Sequence, residues 1–209
     1  MAHERGEGRD DRLAHAPGAL LGRLALAGRQ RVEAVGEGSE PGAAARQAVV
    51  PAFAALVRHP STALKTRAIR VLEGRPEDLA STALIESLRD GDEAVVRAAL
   101  TAVVATPNAH AAAPVARLLS TSPSWSLRAV SASALGALAA REGDAGAEPA
   151  WKALAQAATG DSFAVVREAA LGALDRAPPG LRAEALRKAA SDPEPSVQQL
   201  AARLSTTRP

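Results

Sequence analysis

The sequence contains no cysteine and no tyrosine, and it has only two tryptophans and two phenylalanines in 209 residues. The absence of cysteine excludes disulfide bonds, thiolate metal sites and cysteine nucleophiles, and it favours a reducing compartment. The apolar fraction consists mostly of Ala, Leu and Val. This composition favours closely packed helices over a β-sandwich or barrel, so it predicts an all-α fold.

Long hydrophobic runs are also missing. The segment 1–12 is densely charged, and no apolar run near it is long enough for a signal peptide or a membrane span. We therefore expect a cytoplasmic protein that makes no membrane contact.

Charge and histidine placement argue against two further kinds of site. The formal net charge is +2, and the basic residues are spread along the chain rather than gathered in a stripe, which argues against nucleic acid as a partner. The four histidines are scattered, without a second histidine or a carboxylate at helical spacing that would complete a metal site. We expect no metal, no cofactor and no catalytic residues. The histidines are His3, His15, His59 and His110.

A repeat recurs five times along the chain. Aligned on one reference position, the copies are spaced by 32, 31, 39 and 31 residues. The reference residues are Lys65, Arg97, Arg128, Arg167 and Gln198.

Apolar residues recur at fixed offsets from the reference position, which is typical of one face of a helix. The residues one position before it are Leu64, Val96, Leu127, Val166 and Val197. Those three positions after it are Ala68, Leu100, Ser131, Ala170 and Ala201.

Helix-start signals precede each copy, and a second helical pattern lies upstream. His59, Ser122 and Asp192 each stand before a proline and are predicted to cap a helix, as is Asp161. Antiparallel helix pairs follow from this arrangement. The upstream patterns cover Ala48 to Val57, Leu79 to Leu88, Ala111 to Leu119, Trp151 to Ala158 and Leu181 to Ala189.

These five copies of a D-P-x-x-x-V-R-x-x-A pattern resemble the HEAT-repeat family, an armadillo-like group that includes phycobilisome-lyase-like repeats. The resemblance covers Ala43 to Arg203 and implies a right-handed α-solenoid of five helical hairpins. Two departures are Gln198, which replaces a basic residue as an end cap would, and a linker at 141–149.

The predicted domains are an N-terminal arm, 1–42, and a solenoid, 43–209. The arm either contains a capping helix within 11–35 that covers the first hairpin, or it is a partly disordered segment that orders on a partner. The predicted repeats cover 43–75, 76–106, 107–140, 147–177 and 180–205.

The basic reference residues allow two interpretations. The family resemblance implies a structural ladder in which Lys65, Arg97, Arg128 and Arg167 bridge successive repeats, with Asp161 and Asp192 as partners. The alternative is a track that binds phosphates.

Helix geometry also predicts an exposed face on the second helices, mostly small and neutral, where another protein could dock as a helix or an extended segment. Trp125 is the expected anchor, although it could instead only cover the loop beside it. Trp151 is predicted to lie in the core. The candidate partner-binding residues are Trp125, Arg70, Ala98, Ala102, Ala129, Ser133 and Glu168.

The preferred functional hypothesis is a non-catalytic protein-binding scaffold or assembly subunit. One alternative is a HEAT-like DNA glycosylase or nucleic-acid-binding module, in which Trp125 and Asp175 would face the lesion. Another is a chromophore-lyase-like cofactor chaperone, which the repeat resemblance alone suggests.

Overall fold

The computed structural model describes residues 41–106, 110–142 and 144–207. Within these ranges lie ten α-helices and one 3₁₀ helix, and no strand. The α-helices follow one another as five pairs, which confirms the prediction of an all-α solenoid. The first helices are α1 (Pro41–Leu56), α3 (Asp78–Ser87), α5 (Ala112–Thr121), α7 (Asp144–Gly160) and α9 (Pro179–Ala189). The second helices are α2 (Thr62–Leu72), α4 (Glu93–Ala105), α6 (Trp125–Glu142), α8 (Ala164–Ala173) and α10 (Pro195–Thr207).

The chain divides into two compact units, residues 1–52 and 53–209. In the first unit, the structure describes residues 41–52 of α1. Pro51 lies inside α1 rather than at its beginning, and the neighbouring Val50 is buried. The capping helix predicted within 11–35 lies outside the described residues.

In the second unit the helices form two layers. The second helices pack in succession: α2 on α4, α4 on α6, α6 on α8, and α8 on α10. In the other layer α5 packs on α7, and α7 packs on α9. The helices of each pair from α3–α4 to α9–α10 also contact each other. Each pair therefore buries its apolar face against its neighbours, as stacked repeats must.

The predicted core positions are buried. All five residues one position before the reference and all five residues three positions after it have less than a tenth of their surface exposed. Trp151 is buried in α7, as predicted. Ser131 occupies a position where the other repeats have Ala or Leu, and its buried hydroxyl has no hydrogen-bond partner. The seam between second helices is thus formed by methyl and branched aliphatic groups.

The predicted helix caps are wrong by two or three residues. The second helices begin at Thr62, Trp125, Ala164 and Pro195, after the proposed capping residues. Two of those side chains instead accept a hydrogen bond from the backbone amide two residues ahead: Asp161 from Phe163 at 3.0 Å, and Asp192 from Glu194 at 2.9 Å. His59 accepts one from Ser61 in the same way. The side chains therefore shape the turn that precedes the helix.

The predicted linker at 141–149 is also wrong, because these residues are almost entirely helical. They lengthen the end of α6 and the beginning of α7. Arg141, in the last turn of α6, donates hydrogen bonds to the carbonyls of Val104 and Thr106 at the end of α4. Helix ends leave carbonyls without intrahelical partners, and the longer α6 supplies donors for two of them.

Gly136 lies at a close approach of two second helices. A Cβ atom at this position in α6 would lie 2.6 Å from the Cβ atom of Ala173 in α8. Gly136 is buried in this contact. By contrast, a Cβ atom at Gly172, one residue before Ala173, would meet no atom within 4 Å.

We expect Gly136→Ala to destabilise the protein by about 1–3 kcal/mol, because an added methyl would force α6 and α8 apart. The matched control, Gly172→Ala, should stabilise it by about 0.5–1 kcal/mol through higher helix propensity. Urea denaturation followed by circular dichroism measures both. Equal stabilisation by the two substitutions would contradict the close contact.

Candidate functional site

A ladder of charged side chains joins the turns that precede the second helices. Arg128 binds both carboxylate oxygens of Asp161, with Nε–Oδ2 at 2.7 Å and Nη2–Oδ1 at 2.9 Å. Arg167 binds Asp192 in the same two-pronged way, at 2.8 and 2.7 Å. The planar guanidinium matches a carboxylate at two points, so each pair fixes an orientation as well as a distance.

The ladder continues through the backbone. The same guanidiniums also donate to the carbonyl six residues earlier in their own turn: Arg128 to Ser122 at 2.9 Å, and Arg167 to Asp161 at 2.8 Å. Gln198 makes the equivalent bond to the carbonyl of Asp192 at 2.6 Å. A side-chain amide can donate this bond to the carbonyl six residues earlier as a guanidinium does, which accounts for the glutamine in the fifth repeat.

The first two rungs differ from the others. Lys65 forms an ion pair with Asp90 at 2.6 Å, across to the turn before α4. Arg97 pairs with Glu93 of its own helix and donates to the hydroxyl of Ser126 in α6 at 3.0 Å. The structural ladder implied by resemblance therefore reaches the next repeat at Arg97 through a hydroxyl rather than through a loop carboxylate.

These contacts shift the pKa values of their groups. Hydrogen bonds from Arg167 are the main cause that lowers the pKa of Asp192 below its ordinary value of 3.8. Burial raises the pKa of Asp161, but hydrogen bonds from Arg128 and from the Phe163 amide outweigh burial, so this pKa is also lowered. The pKa values of Arg128 and Arg167 are raised in turn. Both pairs are therefore fully ionised at neutral pH, and their cations are engaged within the protein.

The second-helix face carries a groove of about 680 Å³. Its floor is α8, and α6 and α10 form its sides. Most of its lining is small or aliphatic, and its charged side chains lie in the middle of α8, in the 3₁₀ helix Leu174–Arg176 that follows it, and on α10. The lining residues are Ser133, Gly136, Ala137, Val165, Glu168, Ala169, Gly172, Ala173, Asp175, Arg176, Leu200 and Arg203.

Two exposed aromatic residues lie at, or directly before, the beginning of two helices that line this groove. Trp125, in the first turn of α6, stacks on Phe163, which precedes α8, with ring centroids 6.0 Å apart. Arg128 lies over the Phe163 ring at 5.5 Å, a cation–π contact. Trp125, Phe163 and Val165 nevertheless remain 46%, 45% and 42% exposed. Three large apolar side chains are thus left open to solvent at the beginning of α6 and α8.

The groove's acidic groups already have partners within the protein. Glu168 accepts a hydrogen bond from Ser196 of α10, and Asp175 forms an ion pair with Arg182 of α9 at 3.0 Å. Arg176 is exposed and makes no hydrogen bond or ion pair within the described part of the chain.

The predicted partner-binding residues lie in the groove lining, elsewhere on a helix that lines the groove, or away from the groove. Ser133 and Glu168 line the groove, and Trp125 and Ala129 lie on the same helix as Ser133. Arg70 and Ala98 lie outside the groove, exposed on α2 and half-buried on α4 respectively.

Ala102 was placed wrongly, because it is completely buried. Its helix, α4, packs between α2 and α6, and a methyl group is too short to reach past them.

Several groove residues were missed by the sequence argument. Val165, Leu200 and Arg203 line the groove, although none of them is among the partner-binding residues predicted from the sequence. Phe163 was missed because it precedes the helix that the projection covered. An aromatic residue at the beginning of one helix, with a second at the beginning of the neighbouring one, is the signal that could have found the pair.

Other kinds of site receive no support from the described residues. A smaller cavity of about 310 Å³ lies between α7 and α9, where Lys152 and Lys188 each pair with a glutamate one turn earlier. Within the ranges that the structure describes, no cluster of His, Asp or Glu could hold a metal ion. None of the helices described is long and apolar enough to span a bilayer.

Comparison with known proteins identifies the family. A family model described as HEAT repeats matches residues 49–136 and 81–175, which together cover more than half of the chain. The chain belongs to the HEAT-repeat family. No curated protein matches this HEAT-repeat chain in sequence.

Solved structures resemble this HEAT-repeat protein in fold. One is from the complex of CpcE and CpcF of phycocyanin lyase from Nostoc, with a TM-score of 0.61, 18% identity, and 77% of this chain and 99% of that chain covered. The Escherichia coli protein YibA has a TM-score of 0.56 and 15% identity, and the match covers 81% of this chain and 63% of YibA. A designed armadillo repeat protein in complex with the peptide (KR)4 has a TM-score of 0.57 and 18% identity. This match covers 91% of this chain and 94% of the designed protein.

We expect Asp192→Asn to destabilise the protein by about 3 kcal/mol at pH 7, because Arg167 would lose its counter-charge at a largely buried site. Since the folded pKa of Asp192 is lowered, its stabilising effect is present above about pH 4 and is lost as the pH falls through the folded pKa. The variant should therefore show a flatter loss of stability between pH 5 and pH 2 than the unmodified protein.

The measurement is the free energy of unfolding in urea at several pH values. Glu184→Gln is the control, because its pair with Lys188 is exposed to solvent and should contribute little to stability. Similar losses in both variants would contradict a special role for the ladder.

Proposed function

We propose that this protein is a non-catalytic scaffold that binds another protein in the groove formed by α6, α8 and α10. The observation that supports this most directly is the combination of a groove lined by small side chains with three exposed apolar residues at the beginning of its helices. Exposed apolar surface next to a concave, small-residue floor is typical of a protein interface.

The chemistry of the groove suits a protein better than a phosphate backbone. Small side chains at Ala169 and Gly172 let a partner approach closely, and the exposed Trp125 is the type of residue that anchors interfaces. Affinity for nucleic acid depends on rows of cations that release counterions. Here Arg128 and Arg167 are bound to carboxylates, and the groove itself contains both acids and bases.

The alternative of a DNA glycosylase has less support. Its candidate carboxylate, Asp175, is held by Arg182, and its candidate aromatic, Trp125, is stacked on Phe163. The cofactor-chaperone alternative rests on a likeness of fold to a chain of the phycocyanin lyase complex, at 18% identity. Neither alternative is favoured by a specific contact in the described residues.

The test is to capture partners on the immobilised protein, identify them by mass spectrometry, and measure the affinity of each purified partner by calorimetry. We expect Trp125→Ala to weaken binding by about 2 kcal/mol, roughly thirtyfold, as loss of an interface anchor does. Gly172→Arg should weaken it further, because the new side chain would fill the groove floor without a clash at Cβ.

The matched control is Gly180→Arg at the beginning of α9, where a Cβ atom also meets nothing within 4 Å. Full affinity in both Trp125→Ala and Gly172→Arg would show that the docking face is elsewhere. Salt-sensitive binding of duplex DNA that Gly172→Arg abolishes would instead favour the nucleic-acid alternative.

A further inference from the structure

We infer that the groove is built for an amphipathic α-helix of the partner that carries an acidic side chain at one end of its apolar face. This inference rests on the proposed function. The inference goes beyond that function by specifying the secondary structure and the charge of the bound segment.

Backbone hydrogen bonding favours a helix as the occupant of this groove. An extended segment in a groove exposes amide and carbonyl groups that need partners, whereas a helix satisfies its own. In the middle of this groove Ala137, Ala169, Gly172 and Ala173 have no polar side chain, and the carboxylate of Glu168 beside them accepts a hydrogen bond from Ser196. Ser133 also lines it, but its hydroxyl points back to the carbonyl of Ala129. A helix is therefore the form of peptide that can enter this groove without leaving polar groups unpaired.

The groove changes in polarity along its length. Trp125, Phe163 and Val165 lie at the beginning of α6 and α8, and Arg176 lies at the other end. Val165 and Arg176 are separated by eleven residues of helical backbone, about 16 Å at 1.5 Å per residue. This length corresponds to about three turns of a docked helix, apolar at one end and charged at the other.

The charge at the Arg176 end of the groove is positive. Asp175 is paired there with Arg182, and Glu168, which accepts a hydrogen bond from the neutral Ser196 hydroxyl, lies eight residues earlier in the chain. Arg176 is exposed, and the described residues supply no carboxylate to it. A guanidinium at the end of an apolar groove is complementary to a carboxylate on the occupant, and it disfavours a cation there.

The experiment is a selection from a display library of 15-residue peptides on the full protein, with Gly172→Arg as the counter-selection that removes peptides bound elsewhere. Selected peptides are synthesised with a fluorescein label, and their affinities are measured by anisotropy. We expect sequences with apolar residues at helical spacing and a Glu or Asp at one end. Circular dichroism should show that helicity increases on binding.

Arg176→Glu tests the charge directly. It should weaken a selected acidic peptide by about tenfold or more, and replacing the peptide's acid with Lys should restore binding to this variant. Lys188→Glu, on a first helix, is the matched control and should leave the affinity unchanged.

Groove-dependent peptides that are extended, proline-rich or without acidic enrichment would overturn this inference and leave the proposed function intact. A selection that yields no peptide sensitive to Gly172→Arg would overturn the inference. If captured partners are equally insensitive, the proposed function fails as well.

Discussion

The packing of each second helix against the next is the constraint on which the rest of the described structure depends. A single pair of helices of this size cannot bury its apolar face, so α2, α4, α6, α8 and α10 share one seam. The residues in the seam are small or branched aliphatic groups. Close approach follows, and at Gly136 the backbones come near enough to exclude a methyl group.

The Arg–Asp ladder adds orientation to this apolar seam. Hydrophobic contact is non-directional, so it alone would allow neighbouring helices to slide or rotate. Each two-pronged pair, such as Arg167 with Asp192, fixes one turn relative to the next, and the bond to the carbonyl six residues earlier fixes the same side chain to its own turn. The ladder also explains why Arg128 and Arg167 are unavailable to an outside phosphate.

The groove is a consequence of both features. Because α6, α8 and α10 are held in register, their exposed positions form one continuous surface with small residues in the middle. Its acidic groups are satisfied within the fold, while Trp125, Val165 and Arg176 remain open to solvent. A scaffold of this kind needs no reactive group, since its contribution is a rigid surface of defined shape and charge.

The family resemblance implied the ladder, whereas the helix pairs and the core were determined by the sequence itself. These depend on periodic patterns, and burial at Leu100, Val166 or Ala201 repeats with the register that the sequence displays. Gln198 also stands out in the sequence, because it changes one position of a repeat, and in the structure its amide donates to the carbonyl of Asp192.

Only the tertiary structure decided which equivalent positions face solvent. Ala102 and Ser133 hold the same place in their repeats, yet the first is buried and the second lines the groove. The stacking of Trp125 on Phe163 and the helical form of 144–149 were likewise invisible in the pattern. The physical reason is that a helical projection treats each helix alone, whereas exposure depends on how closely its two neighbours pack against it.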